Sequence, residues 1–161
     1  MTGHKSRECE SLKRGPHYPV MLNEVLSALK TTSTGVYVDG TFGAGGYSRA
    51  ILKQGVSMLW AIDRDPSVMK AAQDLSDEFP GKFNLLQGCF SEMEKLLKDS
   101  GQNFVDGIVL DIGVSSMQLD QAERGFSFIQ DGPLDMRMSA AGPSAGDAGN
   151  HLSGTDVANV I

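Results

Sequence analysis

The stretch Val36-Tyr-Val-Asp-Gly-Thr-Phe-Gly-Ala-Gly-Gly-Tyr-Ser48 joins three β-forming residues, a turn with four glycines and the start of a helical pattern. A strand, a glycine turn and a helix in this order are typical of the first unit of a nucleotide-binding α/β domain. Such a turn needs glycine where the backbone approaches a ligand or takes a positive φ, because a Cβ atom would clash there. We therefore expect Gly43, Gly45 and Gly46 to lie beside the ligand.

The charge of this turn indicates which kind of ligand it binds. Asp39 ends the predicted strand, at the place where a dinucleotide-binding unit holds the pyrophosphate. A fixed carboxylate that points into this crevice repels phosphate and attracts an ammonium or sulfonium group. We therefore expect the turn to bind a cationic nucleoside, S-adenosylmethionine, in preference to NAD or ATP.

Two later apolar runs also end in an aspartate. The runs Ser57–Asp63 and Val105–Asp111 predict buried parallel strands, and the carboxyl ends of such strands form the rim where ligands bind. Asp63 follows Asp39 at roughly the 20-residue interval at which a nucleotide-binding unit presents an acid to the ribose hydroxyls. Three carboxylates at one rim predict a negative crevice, which suits a cationic cofactor.

The remaining pattern completes an α/β fold of four parallel strands with flanking helices. Lys82–Gln87 predicts the third strand, and Ser91-Glu-Met-Glu94 has the spacing of a capping box that begins a helix. Phe90 therefore lies at a strand-to-helix turn on the ligand side, where it either stacks on adenine or staples the helix. Another helix is predicted over Val20–Lys30, and Asp65 is interpreted as a plain cap of the helix that follows it.

Residues 112–138 form a long segment rich in Gly, Ser and Asp, with hydrophobic residues between them. Segments of this kind are usually lids or binding loops, or else disordered. Arg124 and Arg137 are candidates for phosphate contacts with RNA, and Phe126 and Phe128 for base stacking. Alternatively, the phenylalanines belong to the core and the arginines pair with acids of the same segment, Asp120, Asp131 or Asp135.

The composition restricts the class of protein. The chain has 161 residues, of which 40% are hydrophobic and 21% charged, as in an ordinary globular domain. Its net charge of −6 disfavours indiscriminate nucleic-acid binding, so any RNA contact must be local. Its two isolated cysteines indicate neither a disulfide framework nor a metal site, and no apolar run is long enough to span a membrane. These features predict a cytoplasmic protein without a bound metal.

Taken together, these motifs resemble the MraW/RsmH family of S-adenosylmethionine-dependent ribosomal RNA cytosine-N4-methyltransferases. The resemblance covers residues 17–161, and its most specific parts are four blocks. They are His17–Glu24, Asp39–Gly46, Ala61–Pro66 and Asp106–Met138. The resemblance implies a Rossmann-like class I methyltransferase sheet. It also implies methyl transfer to the exocyclic N4 amine of a cytosine in small-subunit ribosomal RNA, with that RNA or the assembling small subunit as partner.

The resemblance further implies which residues contact the cofactor. They are Gly45, Gly46, Tyr47, Asp63, Phe90, Asp111 and Gln118. Tyr47 stands where many family members have histidine, and Met117 stands where many have proline. Because a tyrosine still offers a backbone N–H and a ring face, we expect altered detail and retained binding.

Family members are longer than this chain, since an inserted helical substrate domain and further strands complete them. We therefore expect residues 17–138 to be the N-terminal part of the cofactor-binding domain, after a flexible leader of residues 1–16. Residues 139–161 are expected to be a linker and the beginning of the inserted domain. The sheet would then be incomplete, and its strand 105–111 would be an unpaired apolar edge that favours self-association.

Methyl transfer from a sulfonium to an amine mainly requires approach and alignment. Because the lone pair of the cytosine amine is delocalised into the ring, an acceptor for its N–H would help. We expect Asp111 to be this acceptor, with Ser115 and Ser116 lining the pocket; alternatively, Asp111 bonds the cofactor or loop amides.

Two other functions are also considered. A nicotinamide-dependent oxidoreductase would use a similar first unit, although Ser48 stands where its G-x-G-x-x-G motif requires the last glycine. The second is a non-catalytic fragment that binds the cofactor or a partner chain.

Overall fold

The computed structural model of the chain describes residues 19–139 and 141–159. The predicted leader, residues 1–16, lies outside the described residues. Helices and strands alternate through most of the described part. They are α1 (Leu22–Leu29), β1 (Val36–Asp39), α2 (Gly46–Lys53), β2 (Met58–Asp63), α3 (Met69–Glu78), β3 (Phe83–Gln87), α4 (Met93–Asp99), β4 (Gly107–Val109), α5 (Ser116–Asp120), α6 (Ala145–His151) and α7 (Gly154–Ala158).

The four strands form one parallel sheet in the order β3-β2-β1-β4. This confirms the predicted Rossmann-like α/β fold. Asp39, the last residue of β1, pairs with Ala61 of β2 on one side and with Val109 of β4 on the other. Strands β1, β2 and β4 therefore end almost level, and the turns that follow them meet at one rim.

The sheet is covered on both faces, as expected for parallel strands whose side chains alternate between the faces. One face buries Tyr37 and Leu59 against Ile51 of α2 and Leu75 of α3. Helix α1 adds its partly buried apolar stripe to this face, as its helical spacing predicts. The opposite face buries side chains of β1 and β2 against Leu97 of α4. The sheet is thus a rigid base for the turns at its rim.

Several predicted boundaries are wrong for local reasons. Helix α1 begins at Leu22 and not at Val20, because Met21 takes a left-handed φ of 52°. Ser91 does not cap α4, since it lies inside a single-turn 3-10 helix that precedes Met93. The fourth strand is shorter than the predicted run, and only Gly107–Val109 pairs with β1.

The predicted linker contains regular structure. Ser144 begins helix α6 because its hydroxyl accepts the Asp147 N–H, while the Asp147 carboxylate accepts the Ser144 N–H in return. This reciprocal pair is a capping box, built here with an aspartate.

Across residues 19–139 and 141–159, none of the helices combines the length and the apolarity that crossing a membrane would require.

Candidate functional site

A crevice of about 260 Å³ lies at the carboxyl ends of the strands. Its walls come from the glycine turn after β1, the turns after β2 and β3, and the segment after β4. The residues that line it include Gly40, Thr41, Gly43, Asp63, Asp65, Phe90, Asp111, Val114, Ser115, Met117, Gln118 and Met138. The predicted rim at the strand ends is therefore a real cavity.

Asp63 joins the glycine turn to the turn after β2. Its carboxylate accepts the N–H of Gly43 at 2.8 Å with one oxygen and the N–H of Asp65 at 2.9 Å with the other. Gly43 has a φ of 53°, a conformation that glycine takes without strain. Asp63 thus shapes the floor of the crevice and also presents a carboxylate to whatever binds there.

Asp39 does not face the crevice, and the prediction that its carboxylate points toward the ligand is wrong. The side chain is fully buried and is absent from the residues that line the cavity. The start of α2 folds back over the end of β1, so the Asp39 carboxylate accepts the Ser48 hydroxyl at 2.7 Å and the Thr41 N–H at 3.2 Å. Asp39 therefore supports the glycine turn from below.

Burial raises the pKa of Asp39 to about 6, and the hydrogen bonds from Ser48 and Thr41 offset only part of that effect. The folded chain then binds more protons than the unfolded chain between pH 4 and pH 6, where an unfolded aspartate, with its ordinary pKa of 3.8, is already ionised. The contribution of Asp39 to the free energy of unfolding therefore falls as the pH rises through this window.

We expect the Asp39→Asn variant to lose this pH dependence. The free energy of unfolding of the variant, minus that of the unchanged chain, should rise by about 2 kcal/mol from pH 4 to pH 6 and level off above about pH 7. Urea denaturation followed by circular dichroism at each pH measures this difference. A difference that stays constant across the window would show that Asp39 titrates normally.

Phe90 and Asp111 reach the crevice from opposite sides. Phe90 is 39% exposed, and it lines the crevice. The backbone N–H of Asp111 donates to the Thr41 hydroxyl at 2.7 Å, which ties the end of β4 to the glycine turn. The exposed Asp111 carboxylate lines the cavity.

A second cavity, of about 350 Å³, lies next to the crevice, beside the glycine turn. Gly43, Asp111 and Ser115 line both cavities. Two further predicted residues, Gly46 and Tyr47, line only the second one, and the Tyr47 hydroxyl donates to the Val20 carbonyl oxygen. The two cavities are neighbours, and Asp111 lies in the wall that they share.

Gly45 lines neither cavity. Its φ of 76° makes the turn into α2, and a Cβ atom there would lie 3.0 Å from the Phe42 ring. Its role in the structure is therefore conformational.

Gln118 belongs to a buried network whose centre is Asp65. The Gln118 side chain donates to Asp65 Oδ2 at 3.0 Å, and Arg124 forms an ion pair with the same oxygen at 2.9 Å. Asp65 also accepts the Ser67 N–H, so it caps the turn before α3 as predicted. Burial raises the pKa of Asp65, but the bonds from Gln118, Ser67 and Arg124 outweigh burial and bring this pKa to about 2.

The four RNA-contact candidates lie in different environments. Arg124 is held by Asp65, and Arg137 pairs with Asp135 at 2.6 Å, one of the alternatives that the sequence left open. Phe126 is buried, with the Arg124 guanidinium 5.9 Å from the centre of its ring. The Phe128 side chain is fully exposed. Only Phe128 and, in part, Arg137 are therefore accessible to a large partner.

Comparison with known proteins gives one family. Residues 14–161 match the model of the MraW methylase family. A relative named ribosomal RNA small subunit methyltransferase H, from Parvibaculum lavamentivorans, is 58% identical over 91% of this chain and 43% of its own length. Relatives of the same name from Paramagnetospirillum magneticum and Rhodospirillum rubrum are each 56% identical over 91% of this chain, and over 46% and 45% of their lengths. The chain thus spans less than half the length of these relatives.

Among solved structures, one from Pyrococcus horikoshii, described as that of an RNA methyltransferase, has a TM-score of 0.46 and 22% sequence identity. It covers 59% of this chain and 44% of its own.

Proposed function

Because this chain belongs to the MraW methylase family, we propose that its crevice binds S-adenosylmethionine for methyl transfer to ribosomal RNA. One observation carries the proposal: the carboxylates of Asp63 and Asp111 line a cavity at the carboxyl ends of parallel strands. A cavity with this charge favours a sulfonium over a pyrophosphate. The buried charge of Asp39, beneath the glycine turn, adds to the same field.

The lining residues match the parts of such a cofactor. The Asp63 carboxylate can accept hydrogen bonds from ribose hydroxyls, and the partly exposed Phe90 can stack on adenine. Because Gly43 has no side chain, a ligand can approach the backbone of the turn beside the second cavity. That cavity can hold the methionine part of the cofactor together with the methyl acceptor. In this proposal Tyr47, Gly45 and Gly46 act by shaping the glycine turn.

The bound cofactor supplies an electrophilic methyl group, and the protein holds the acceptor. We propose the exocyclic N4 amine of a cytosine in small-subunit ribosomal RNA as that acceptor. The names of the relatives support the small-subunit RNA, and the family resemblance implies the cytosine amine. Asp111 lies between the two cavities, where its carboxylate can accept an N–H of the amine and orient the nitrogen lone pair toward the methyl group. Ser115 lines the same space.

Contacts with RNA are proposed for the accessible part of the segment after β4. Phe128 can stack on an unpaired base, and the partly exposed Arg137 can reach a phosphate. Arg124 and Phe126 are held inside the segment, so they support this surface and do not contact the RNA themselves.

A methylation assay tests this function. Small-subunit ribosomal RNA is incubated with the chain and S-adenosylmethionine labelled in its methyl group, and the nucleosides are then separated. We expect label in N4-methylcytidine. Label in another nucleoside would refute the proposed acceptor. No label, with cofactor binding intact, would support the alternative of a non-catalytic fragment.

The proposed domain division follows the family resemblance. Residues 17–138 are the cofactor-binding part, and residues 139–161, which contain α6 and α7, begin the substrate-recognition part. A protein that modifies ribosomal RNA is proposed to act in the cytoplasm.

Self-association through β4 is proposed as well. Within the described residues, β4 pairs only with β1 and forms an edge of the sheet. Ile108 and Leu110 are 48% and 43% exposed beside this edge. An unpaired apolar edge is a template for pairing with another chain.

We expect sedimentation velocity to detect a dimer of the chain, and Ile108→Lys to shift it to the monomer, because a charge on the edge strand opposes pairing. Leu152→Lys, at an exposed apolar residue that follows α6 and is not part of the sheet, should leave the dimer unchanged. A monomer for the unchanged chain at the same concentration would contradict this proposal.

A further inference from the structure

One wall of the crevice comes from a segment that lacks any strand to hold it. The residues of this wall all follow the last residue of β4; they are Gly113, Val114, Ser115, Met117, Gln118 and Met138. Between them the backbone contains one short helix, α5, and one 3-10 turn. Such a wall must be fixed to the sheet by side-chain contacts if it is to shape a cofactor site.

Asp65 provides these contacts from the turn after β2. It is only 4% exposed, and Gln118 and Arg124 both donate to its Oδ2 atom, at 3.0 Å and 2.9 Å. The Ser67 N–H occupies Oδ1 at 2.9 Å. These three donors therefore use most of the hydrogen-bonding capacity of the carboxylate.

The two donors hold the two ends of the wall. The Gln118 amide oxygen accepts the Ser115 N–H at 3.0 Å, so the bond to Asp65 also fixes the start of α5. Arg124 donates to the carbonyl oxygens of Arg137 and Met138, at 2.9 Å and 3.3 Å. One carboxylate thus anchors both the residues before α5 and Met138, which lies 20 or more residues further along the chain.

We propose that Asp65 is a positioning residue, which sets the affinity of the crevice for its cofactor by locking the wall after β4 onto the turn after β2. This rests on the proposed function, because it takes S-adenosylmethionine to be the ligand of the crevice. Asp65 acts through Gln118 and Arg124 and does not bond the cofactor. Removing Arg124 therefore frees the end of the wall at Met138, and removing the Asp65 carboxylate frees both ends.

A double-mutant cycle tests this mechanism. Binding of S-adenosylhomocysteine is measured by calorimetry for the unchanged chain, Asp65→Asn, Arg124→Gln and the double variant. We expect each single variant to bind about 10-fold more weakly, and the double variant to bind no more weakly than Asp65→Asn, because Asp65→Asn already releases Arg124. A double variant weakened by the product of the two single effects, about 100-fold, would mean independent roles and would overturn the proposal.

Asp135→Asn is the matched control, since it weakens another aspartate–arginine pair in the same segment, and neither member of that pair lines the crevice. We expect it to leave the affinity unchanged. Thermal unfolding of every variant shows whether a loss of affinity comes from the lost contacts of Asp65 or from a lost fold. If Asp65→Asn does not fold, Arg124→Gln alone tests the proposal, because Arg124 does not line the crevice. Unchanged affinity in folded Arg124→Gln would overturn the proposal. No binding by the unchanged, folded chain would instead refute the proposed function.

Discussion

The Asp63→Ala variant is expected to bind S-adenosylhomocysteine about 100-fold more weakly than the unchanged chain. Asp63 has two roles at once: its carboxylate holds the N–H groups of Gly43 and Asp65, and it is the acid placed to receive ribose hydroxyls. Alanine removes the acceptors for both amides, so the glycine turn loosens while the ligand loses its partner. Hydrogen bonds to a charged group contribute about 1.5–3 kcal/mol each, which supports an effect of this size.

Asp106→Ala is the matched control for this prediction. The Asp106 carboxylate also accepts a backbone N–H, that of Val36 at 2.8 Å, but it lies just before β4, at the opposite end of the sheet from the crevice. We expect it to change stability and to leave the affinity within a factor of about three. Equal losses of affinity in the two variants would show that Asp63 matters only through the fold.

The Asp111→Asn variant is expected to slow methyl transfer to small-subunit RNA at least about 100-fold, while the affinity for S-adenosylhomocysteine changes by less than about threefold. The carboxylate is exposed in the wall shared by the two cavities, and an amide presents a weaker acceptor there for the N–H of the amine. The Asp111 backbone bond to Thr41 does not depend on the side chain and survives the substitution.

Single-turnover methylation and calorimetry on the same preparations give the two quantities for Asp111. Equal losses of rate and affinity would assign Asp111 to cofactor binding, which is the alternative that the sequence left open. An unchanged rate would remove Asp111 from the reaction.

The sheet and its rim could be predicted from the sequence because their signals are local. Apolar runs that end in Asp39 and Asp63 mark two of its strands, and the glycine turn marks the first unit. Once the strands are known to be parallel, their carboxyl ends must share a rim, so the crevice follows from the strand pattern. Phe90 lines it for the same reason.

The burial of Asp39 could not be predicted, because the strand pattern does not show how far α2 folds back over the end of β1. The partners of Asp65 were missed for a related reason. Gln118 lies 53 residues away along the chain, so the spacing around Asp65 shows only its local role as a cap. Helix α6 escaped prediction because its residues are small and rich in glycine, and its capping box uses Asp147 where glutamate or glutamine is usual.

The most direct test of the central claim is the choice of cofactor by the crevice. Calorimetric titrations of the chain with S-adenosylmethionine, S-adenosylhomocysteine and NADH compare a sulfonium, its neutral product and a pyrophosphate in the same site. We predict binding of both adenosyl ligands, tighter for the cationic one, and no measurable binding of NADH, because Asp39, Asp63 and Asp111 make the site negative. Binding of NADH more tightly than of either adenosyl ligand would contradict the account.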